Sequence, residues 1–151
     1  QRSVFMGSGW FNQCDPNYST VVGGQVNKIV STAAQWSFIG AGAGNLITLT
    51  ALYSVIVGGK DNAIPGAIGA VIAGGRKNLA SGDYSFVGGG GETTGLIQNI
   101  ASGLASVVGG GTNNVASGIN SIVCGGGDPE VGRGNTASGL RSFVGGGRWC
   151  T

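Results

Sequence analysis

The most regular feature of the chain is a serine that is followed, two residues later, by a large apolar residue. Adjacent residues of a strand face opposite sides, and the residue directly after the serine is also apolar in eight of nine units. We therefore expect short strands with both faces covered. The serine recurs at the following positions, with Ala70 in its place once: Ser3, Ser19, Ser37, Ser54, Ser85, Ser106, Ser121 and Ser142.

An asparagine divides each unit in two, and the idealised unit is the 15-residue phrase SxVxGGxxNxASGxx. The asparagine lies eight residues after the serine, or seven residues before the next one, at Asn27, Asn45, Asn62, Asn78, Asn99, Asn114 and Asn135. A second apolar position lies two residues after the asparagine, and its side chain becomes smaller along the chain, from isoleucine to alanine. Both apolar positions are expected to point into a core.

Such a repeat predicts an all-β fold, a β-solenoid of about nine 15-residue coils stacked about 4.8 Å apart. Residues 1–151 form one domain, and extra residues enter only at corners, as insertions near 90–98 and 127–134. The asparagines and serines are expected to hydrogen-bond along the stack. The second apolar strand face needs cover from other chains, for which a homotrimer is the simplest closed arrangement.

Composition removes several classes of function. Only 9% of residues are charged, the net charge is +2, and there is no histidine. These values favour neither nucleic acid nor an anionic membrane as a partner, and no apolar run is long enough for insertion into a membrane. The six acidic residues are scattered over different coils, and the three cysteines lack a metal-binding spacing. We therefore expect no enzyme activity, no metal and no cofactor.

Four aromatic residues immediately precede the serine position and should form one row along a corner: Tyr18, Trp36, Tyr53 and Tyr84. Such a row is able to stack against sugar rings or contact a receptor. Alternatively, the rings shield the corner and stack on one another. The sequence leaves both interpretations open.

The corner insertions are a second candidate for binding, because insertions on one face of a solenoid often form its binding face. The later insertion carries Asp128, Glu130 and Arg133, which either contact a polar ligand or keep the loop solvated. A flat threonine row for binding ice is a further alternative. The threonines share no common position in the repeat, however, and this counts against ice binding.

The two ends of the chain have features that suggest assembly. Trp10 and Trp149 each lie seven residues after a serine, so we expect them to occupy the same position in the first and last coils and to stack across a joint between chains. The chain begins at Gln1, as a processed form or a fragment would. Cys14 and Cys150 are eight coils apart, too far for a disulfide within one chain. We expect head-to-tail joining into filaments, optionally locked by bonds between Cys14 and Cys150 of different chains. Cys124 is expected to be a buried small hydrophobe.

The phrase NxASGxxSxVxGG resembles the head repeats of YadA-type trimeric autotransporter adhesins, and similar phrases occur in trimeric phage and virus fibres. It is clearest in NLASGDYSFVGGG (78–90), NVASGINSIVCGGG (114–127) and NTASGLRSFVGGG (135–147). The resemblance implies a left-handed β-roll of three intertwined chains on a cell or virion surface, used for attachment. We therefore expect a non-enzymatic fibre protein whose first partner is itself, or alternatively an adhesin that recognises surface glycans or a receptor.

Overall fold

The computed structural model describes residues 4–5, 8–91, 98–128 and 133–151, and this part of the chain consists of short strands without a helix. The repeated apolar positions form strands of two or three residues, because glycines and left-handed residues bend the chain after each one. The strands are β1 (Val4–Phe5), β2 (Gly9–Trp10), β3 (Gln13–Cys14), β4 (Thr20–Val21), β5 (Gly24–Gln25), β6 (Lys28–Val30), β7 (Phe38–Ile39), β8 (Leu46–Thr48), β9 (Val55–Ile56), β10 (Ala63–Pro65), β11 (Val71–Ile72), β12 (Leu79–Ala80), β13 (Phe86–Val87), β14 (Ile100–Ala101), β15 (Val107–Val108), β16 (Val115–Ala116), β17 (Ile122–Val123), β18 (Thr136–Ala137) and β19 (Phe143–Val144).

These strands stack into two long parallel sheets, which confirms the β-solenoid. The first sheet has nine strands in the order β1-β4-β7-β9-β11-β13-β15-β17-β19, and the second has eight in the order β18-β16-β14-β12-β10-β8-β6-β3. A third line of pairing starts with β2 and β5 and continues as single bridges through Ala43, Lys60 and Arg76. Every coil therefore lies directly on the next. Left-handedness and the number of chains stay predictions.

The core lies between the two sheets and is made of the two predicted apolar rows. The residues two positions after the serine and two positions after the asparagine point inward. Both rows are completely buried from the second coil onward, except Val144 of the last coil, which is partly buried. The rows are Val21, Ile39, Ile56, Ile72, Val87, Val108 and Val123 in the first sheet, and Ile29, Ile47, Ile64, Ala80, Ala101, Ala116 and Ala137 in the second.

After the first corner, Asn12–Ser19, which takes seven residues, the corners shorten along the chain and the core side chains shrink with them. The corner from asparagine to serine takes ten residues at Asn27–Ser37, nine at Asn45–Ser54, eight at Asn62–Ala70 and seven at Asn78–Ser85, then stays at seven. Wide coils place alanine three residues before the serine, whereas narrow coils place glycine there. A β-carbon on Gly82 would overlap the carbonyl oxygen of Gly103 in the next coil. A short corner thus requires the smaller residues.

The buried asparagines form a continuous hydrogen-bonded ladder, as predicted. Asn62 is representative: its side-chain amide donates to the carbonyl oxygens of Gly58 in its own coil and Gly75 in the next, each at 3.1 Å. Its Oδ1 accepts the backbone N–H of Asn78 at 3.0 Å. Asn12 also belongs to the ladder, because its Oδ1 accepts the N–H of Asn27 at 2.9 Å. The sequence reasoning missed Asn12, although it precedes Ser19 by the usual seven residues.

The serine row forms a similar ladder only in the wide coils. Ser37 Oγ donates to the carbonyl of Ala51 at 2.6 Å and accepts the N–H of Ser54 at 3.2 Å. The pattern ends with Ser54, whose Oγ accepts the N–H of Ala70. Since Ala70 has no hydroxyl, it offers no acceptor to the serine of the following coil.

In the narrow coils the serine hydroxyls lose this role. The N–H of Ser106 donates to the carbonyl of Gly103 in its own corner at 3.1 Å, and Ser85 and Ser121 make the equivalent bond. The Oγ atoms of these three serines are buried without a hydrogen bond to any described residue. The shorter corner therefore closes on itself, and the prediction of a continuous serine ladder is wrong for this half of the chain.

We expect Asn62→Ala to lower the free energy of unfolding by at least about 2 kcal/mol, because the buried N–H of Asn78 loses its acceptor. Asn120→Ala is the matched control: Asn120 is exposed, and Ala105 already holds the same position one coil earlier. The measurement is the thermal unfolding midpoint at one fixed protein concentration. Equal midpoints for the two variants would refute the structural role of the ladder.

The serine row gives a second comparison. We expect Ser37→Ala to cost about 1–2 kcal/mol, because it leaves the N–H of Ser54 unpaired, whereas Ser106→Ala should be neutral or slightly stabilising, because it removes an unsatisfied buried hydroxyl. The same unfolding experiment measures both. A larger loss in Ser106→Ala than in Ser37→Ala would contradict the change of hydrogen bonding between wide and narrow coils.

Candidate functional site

The outer face of the nine-stranded sheet has an unusual composition for an exposed surface, and we call it the flat face. It consists of the residues one and three positions after the serine, and neither row contains a charged residue in any coil. Its side chains in the described coils are half-buried or exposed, and Phe143 is 66% exposed. Solvent-facing sides of sheets normally carry polar residues. This face therefore has the composition of a covered surface.

Side-chain sizes on the flat face compensate for one another. The rings of Phe38, Phe86 and Phe143 each lie over the glycine two residues later, with the ring edge 3.3–3.4 Å from the position of a β-carbon on that glycine. The compensation is partial: Val55 is followed by Val57, but Val107 is followed by Gly109. An uncharged, largely apolar face of this kind suits contact with another extended surface.

The outer face of the eight-stranded sheet is different. It carries Asp15 and Lys28 in the first coils and serines in the last ones, including Ser102 and Ser117, which are exposed. Its other outward positions include half-buried apolar residues, so this face is mixed: Leu46, Leu79, Ile100 and Val115. The flat face differs from it in having no charged residue.

The predicted aromatic row lies along one margin of the flat face, and we call Tyr18, Trp36, Tyr53 and Tyr84 the aromatic rib. The first three rings stack, with centroids 5.4 Å and 5.3 Å apart and interplanar angles of 4° and 15°. The four side chains remain 46–63% exposed. The structure thus supports stacking of these three rings on one another: both faces of Trp36 and one face each of Tyr18 and Tyr53 are covered by that stacking.

The rib residues have the left-handed backbone conformation, with φ between 55° and 59°. This conformation turns their N–H groups toward the preceding coil, where Tyr84 N–H donates to the carbonyl of Ile68 at 2.7 Å. It is unfavourable for bulky residues, so the corner imposes it. Gly69 replaces a ring between Tyr53 and Tyr84, and the Tyr84 ring lies against Gly69.

The apolar margin continues beyond the rib, which the sequence reasoning missed. Leu104, Ile119 and Leu140 lie two residues before the serine in the narrow coils and are 46%, 47% and 67% exposed. Their common position in the repeat was the available signal. The rib position itself holds Ala105, Asn120 and Arg141 in these coils, so the margin is aromatic in the first half of the solenoid and mixed in the second.

The later corner insertion is held by internal bonds. Asp128 is buried, its carboxylate pairs with Arg148 of the last coil, and its N–H donates to the carbonyl of Arg133 at 3.0 Å. The Asp128 side chain therefore stabilises the base of the loop. Arg133 is exposed, whereas Glu130 and residues 92–97 of the earlier insertion lie outside the described residues.

Cys14 and Cys150 lie at opposite ends of the solenoid, and all three cysteines are free. Burial raises the pKa of the Cys14 thiol, the Asp15 carboxylate raises it further, and a backbone hydrogen bond with Val21 lowers it. Cys150 occupies the asparagine row, because its N–H donates to Asn135 Oδ1 at 2.8 Å. If a second chain continued that row with Asn12, Cys14 would be about 8 Å from Cys150 between Cα atoms. A disulfide requires about 7 Å or less, so this register disfavours the predicted bond.

Two sequence predictions near these residues are wrong. Cys124 is exposed rather than buried, because it lies on the flat face while the adjacent Val123 points inward. Trp10 pairs with Gln25, in the row of Lys60, whereas Trp149 directly precedes the asparagine-row residue Cys150. The two tryptophans thus occupy neighbouring rows, because the first coil has one more residue between serine and asparagine.

Among the described residues, no cluster of histidine, cysteine, aspartate or glutamate is suited to hold a metal ion. The described chain also lacks a helix long and apolar enough to span a membrane. Comparison with protein-family models and with curated protein sequences finds no match. The resemblance to YadA-type head repeats therefore continues to rest on the repeat phrase itself.

Proposed function

We propose that this chain is a non-enzymatic structural segment of an extracellular or virion-surface fibre, in which three copies pack together through the flat face. The observation that carries the proposal is the uncharged and largely apolar outer face of the nine-stranded sheet, described from the second coil to the last. Its length is about 38 Å, from eight steps of about 4.8 Å. Exposed apolar surfaces of this extent mark sites of association.

The buried polar chemistry of the chain supports a structural role. The asparagine amides are used in bonds between coils, and the serine hydroxyls of the wide coils are used in the same way. The side chains available to a partner are mainly apolar. A stack held in this way resists bending and suits a rod that transmits force or spaces other parts of a fibre.

We expect Val55→Lys to convert the assembly to monomers, because it places a charge in the middle of the flat face, where association would desolvate it. Thr48→Lys is the matched control: Thr48 is also a half-buried β-branched strand residue, but it lies on the outer face of the eight-stranded sheet. Sedimentation velocity of the purified chains gives the oligomeric state. A folded monomer in the unsubstituted chain would refute the proposal, as would trimers of undiminished stability in Val55→Lys.

An adhesin is the second candidate function, favoured by the exposed edges of the aromatic rib. If the rib binds glycans, a chain with Trp36→Ser and Tyr53→Ser should lose at least about tenfold in attachment to glycan-coated surfaces while remaining folded. Loss of thermal stability with unchanged attachment would contradict this function. A chain with Ile119→Ser and Leu140→Ser controls for a general loss of exposed apolar surface.

A further inference from the structure

The aromatic rib borders the flat face on one side, and a nearly continuous row of glycines borders it on the other. We call this second row the glycine margin; it lies four residues after the serine position. Its members from the second coil onward are Gly23, Ala41, Gly58, Gly74, Gly89, Gly110, Gly125 and Gly146.

Two of these glycines have no explanation within one chain. A β-carbon on Gly74 would meet no atom within 4 Å, and one on Gly58 would lie 3.7 Å from its nearest neighbour, the carbonyl oxygen of Ala41. Neither residue has a positive φ, and Ala41 already occupies the row. Gly58 and Gly74 are thus unnecessary for the fold, although glycine is unfavourable in extended chain.

The other glycines of the margin differ in this respect. In the last four coils the row has φ between 144° and 159°, a backbone that favours glycine within the chain itself: Gly89, Gly110, Gly125 and Gly146. Gly58 and Gly74 are therefore the residues that point to a neighbouring chain.

Three equal faces arranged around a threefold axis meet along their margins, and each contact joins the left margin of one copy to the right margin of the next. Such a heterologous contact closes into a ring. In this chain it joins a margin of bulky, half-exposed rings to a margin without side chains. In-register chains would bring Tyr53 of one copy to Gly58 of the next, and Leu140 to Gly146.

The size of the surface also requires the margins. The flat face alone is about 38 Å long and three residues, or about 10 Å, wide, which gives about 400 Å². Including both margins widens it to about 18 Å and gives about 700 Å² per copy, which each copy divides between its two neighbours. A closed trimer then buries about 2,100 Å² in total, against the roughly 1,600 Å² of a standard two-chain complex.

We therefore propose that the aromatic rib of each copy lies against the glycine margin of its neighbour, so that the rib is an inter-chain contact. This inference rests on the proposed trimer and specifies its geometry. It also gives the glycine margin a function: residues without side chains let the neighbouring rings approach the backbone closely.

Engineered disulfides test the contact. In a chain with Cys14→Ala, Cys124→Ala and Cys150→Ala, we introduce Tyr53→Cys together with Gly58→Cys. Within one chain these positions are five residues apart across a strand, about 16 Å, so they are able to bond only between chains. Mild oxidation should give covalent trimers in non-reducing electrophoresis, whereas either single variant should not. Thr48→Cys with Gly58→Cys is the control pair and should stay uncrosslinked.

The outcomes separate this inference from the proposed function. Trimers in sedimentation that remain uncrosslinked would overturn the rib contact and leave the fibre assembly standing, whereas monomers would overturn both. Gly74→Leu gives an independent readout, because the added side chain has free space in a single chain. We expect it to weaken trimerisation at least about tenfold without loss of folding, and Ser102→Leu on the opposite face to have little effect. An equally stable trimer in Gly74→Leu would overturn the contact.

Discussion

The structure depends on hydrogen bonds that each buried asparagine makes along the stack of coils. Its amide group donates to glycine carbonyls in its own coil and in the next, and its oxygen accepts the N–H of the next asparagine. Buried backbone groups at a corner have no water to bind, so these partners are obligatory. Because every coil must present the same group at the same height, the sequence repeats. The coil also has little freedom to place reactive side chains inside.

Corner length is the second constraint, and it decides which residues fill the core. Wide corners leave room for isoleucine in the asparagine-plus-two row and bring the serine hydroxyl between two coils, where it bonds to both. The seven-residue corner closes with its own turn bond, as Ser106 N–H does with Gly103. Isoleucine then gives way to alanine at Ala80. The serine ladder ends at Ala70, which has no hydroxyl group with which to continue it.

Much of the fold could be predicted from the sequence because identical residue types recur at a fixed spacing. When the coils stack, these residues lie above one another in rows. The inward rows and the asparagine ladder followed directly. The burial of Cys124 was misjudged although the two-residue alternation of a strand places it outside beside the inward Val123. The unpaired hydroxyl of Ser106 was not predictable from the residue type, because a serine at this position makes different hydrogen bonds when the corner is shorter. The flat face was predicted as a surface in need of cover, whereas the position of individual rings on it, such as that of Phe86 over Gly88, was not predictable.

The repeat explains the buried rows of one chain, but it also places equally regular rows of uncharged residues on the outward-facing flat face. A cryo-electron microscopy reconstruction of the purified chain, at a resolution that separates coils, tests this most directly. It should show three parallel solenoids in register, with their nine-stranded sheets facing the common axis and Trp36 at a chain boundary. Single solenoids with the flat face in solvent, or copies packed through the eight-stranded sheet, would contradict the assembly proposed for this fibre.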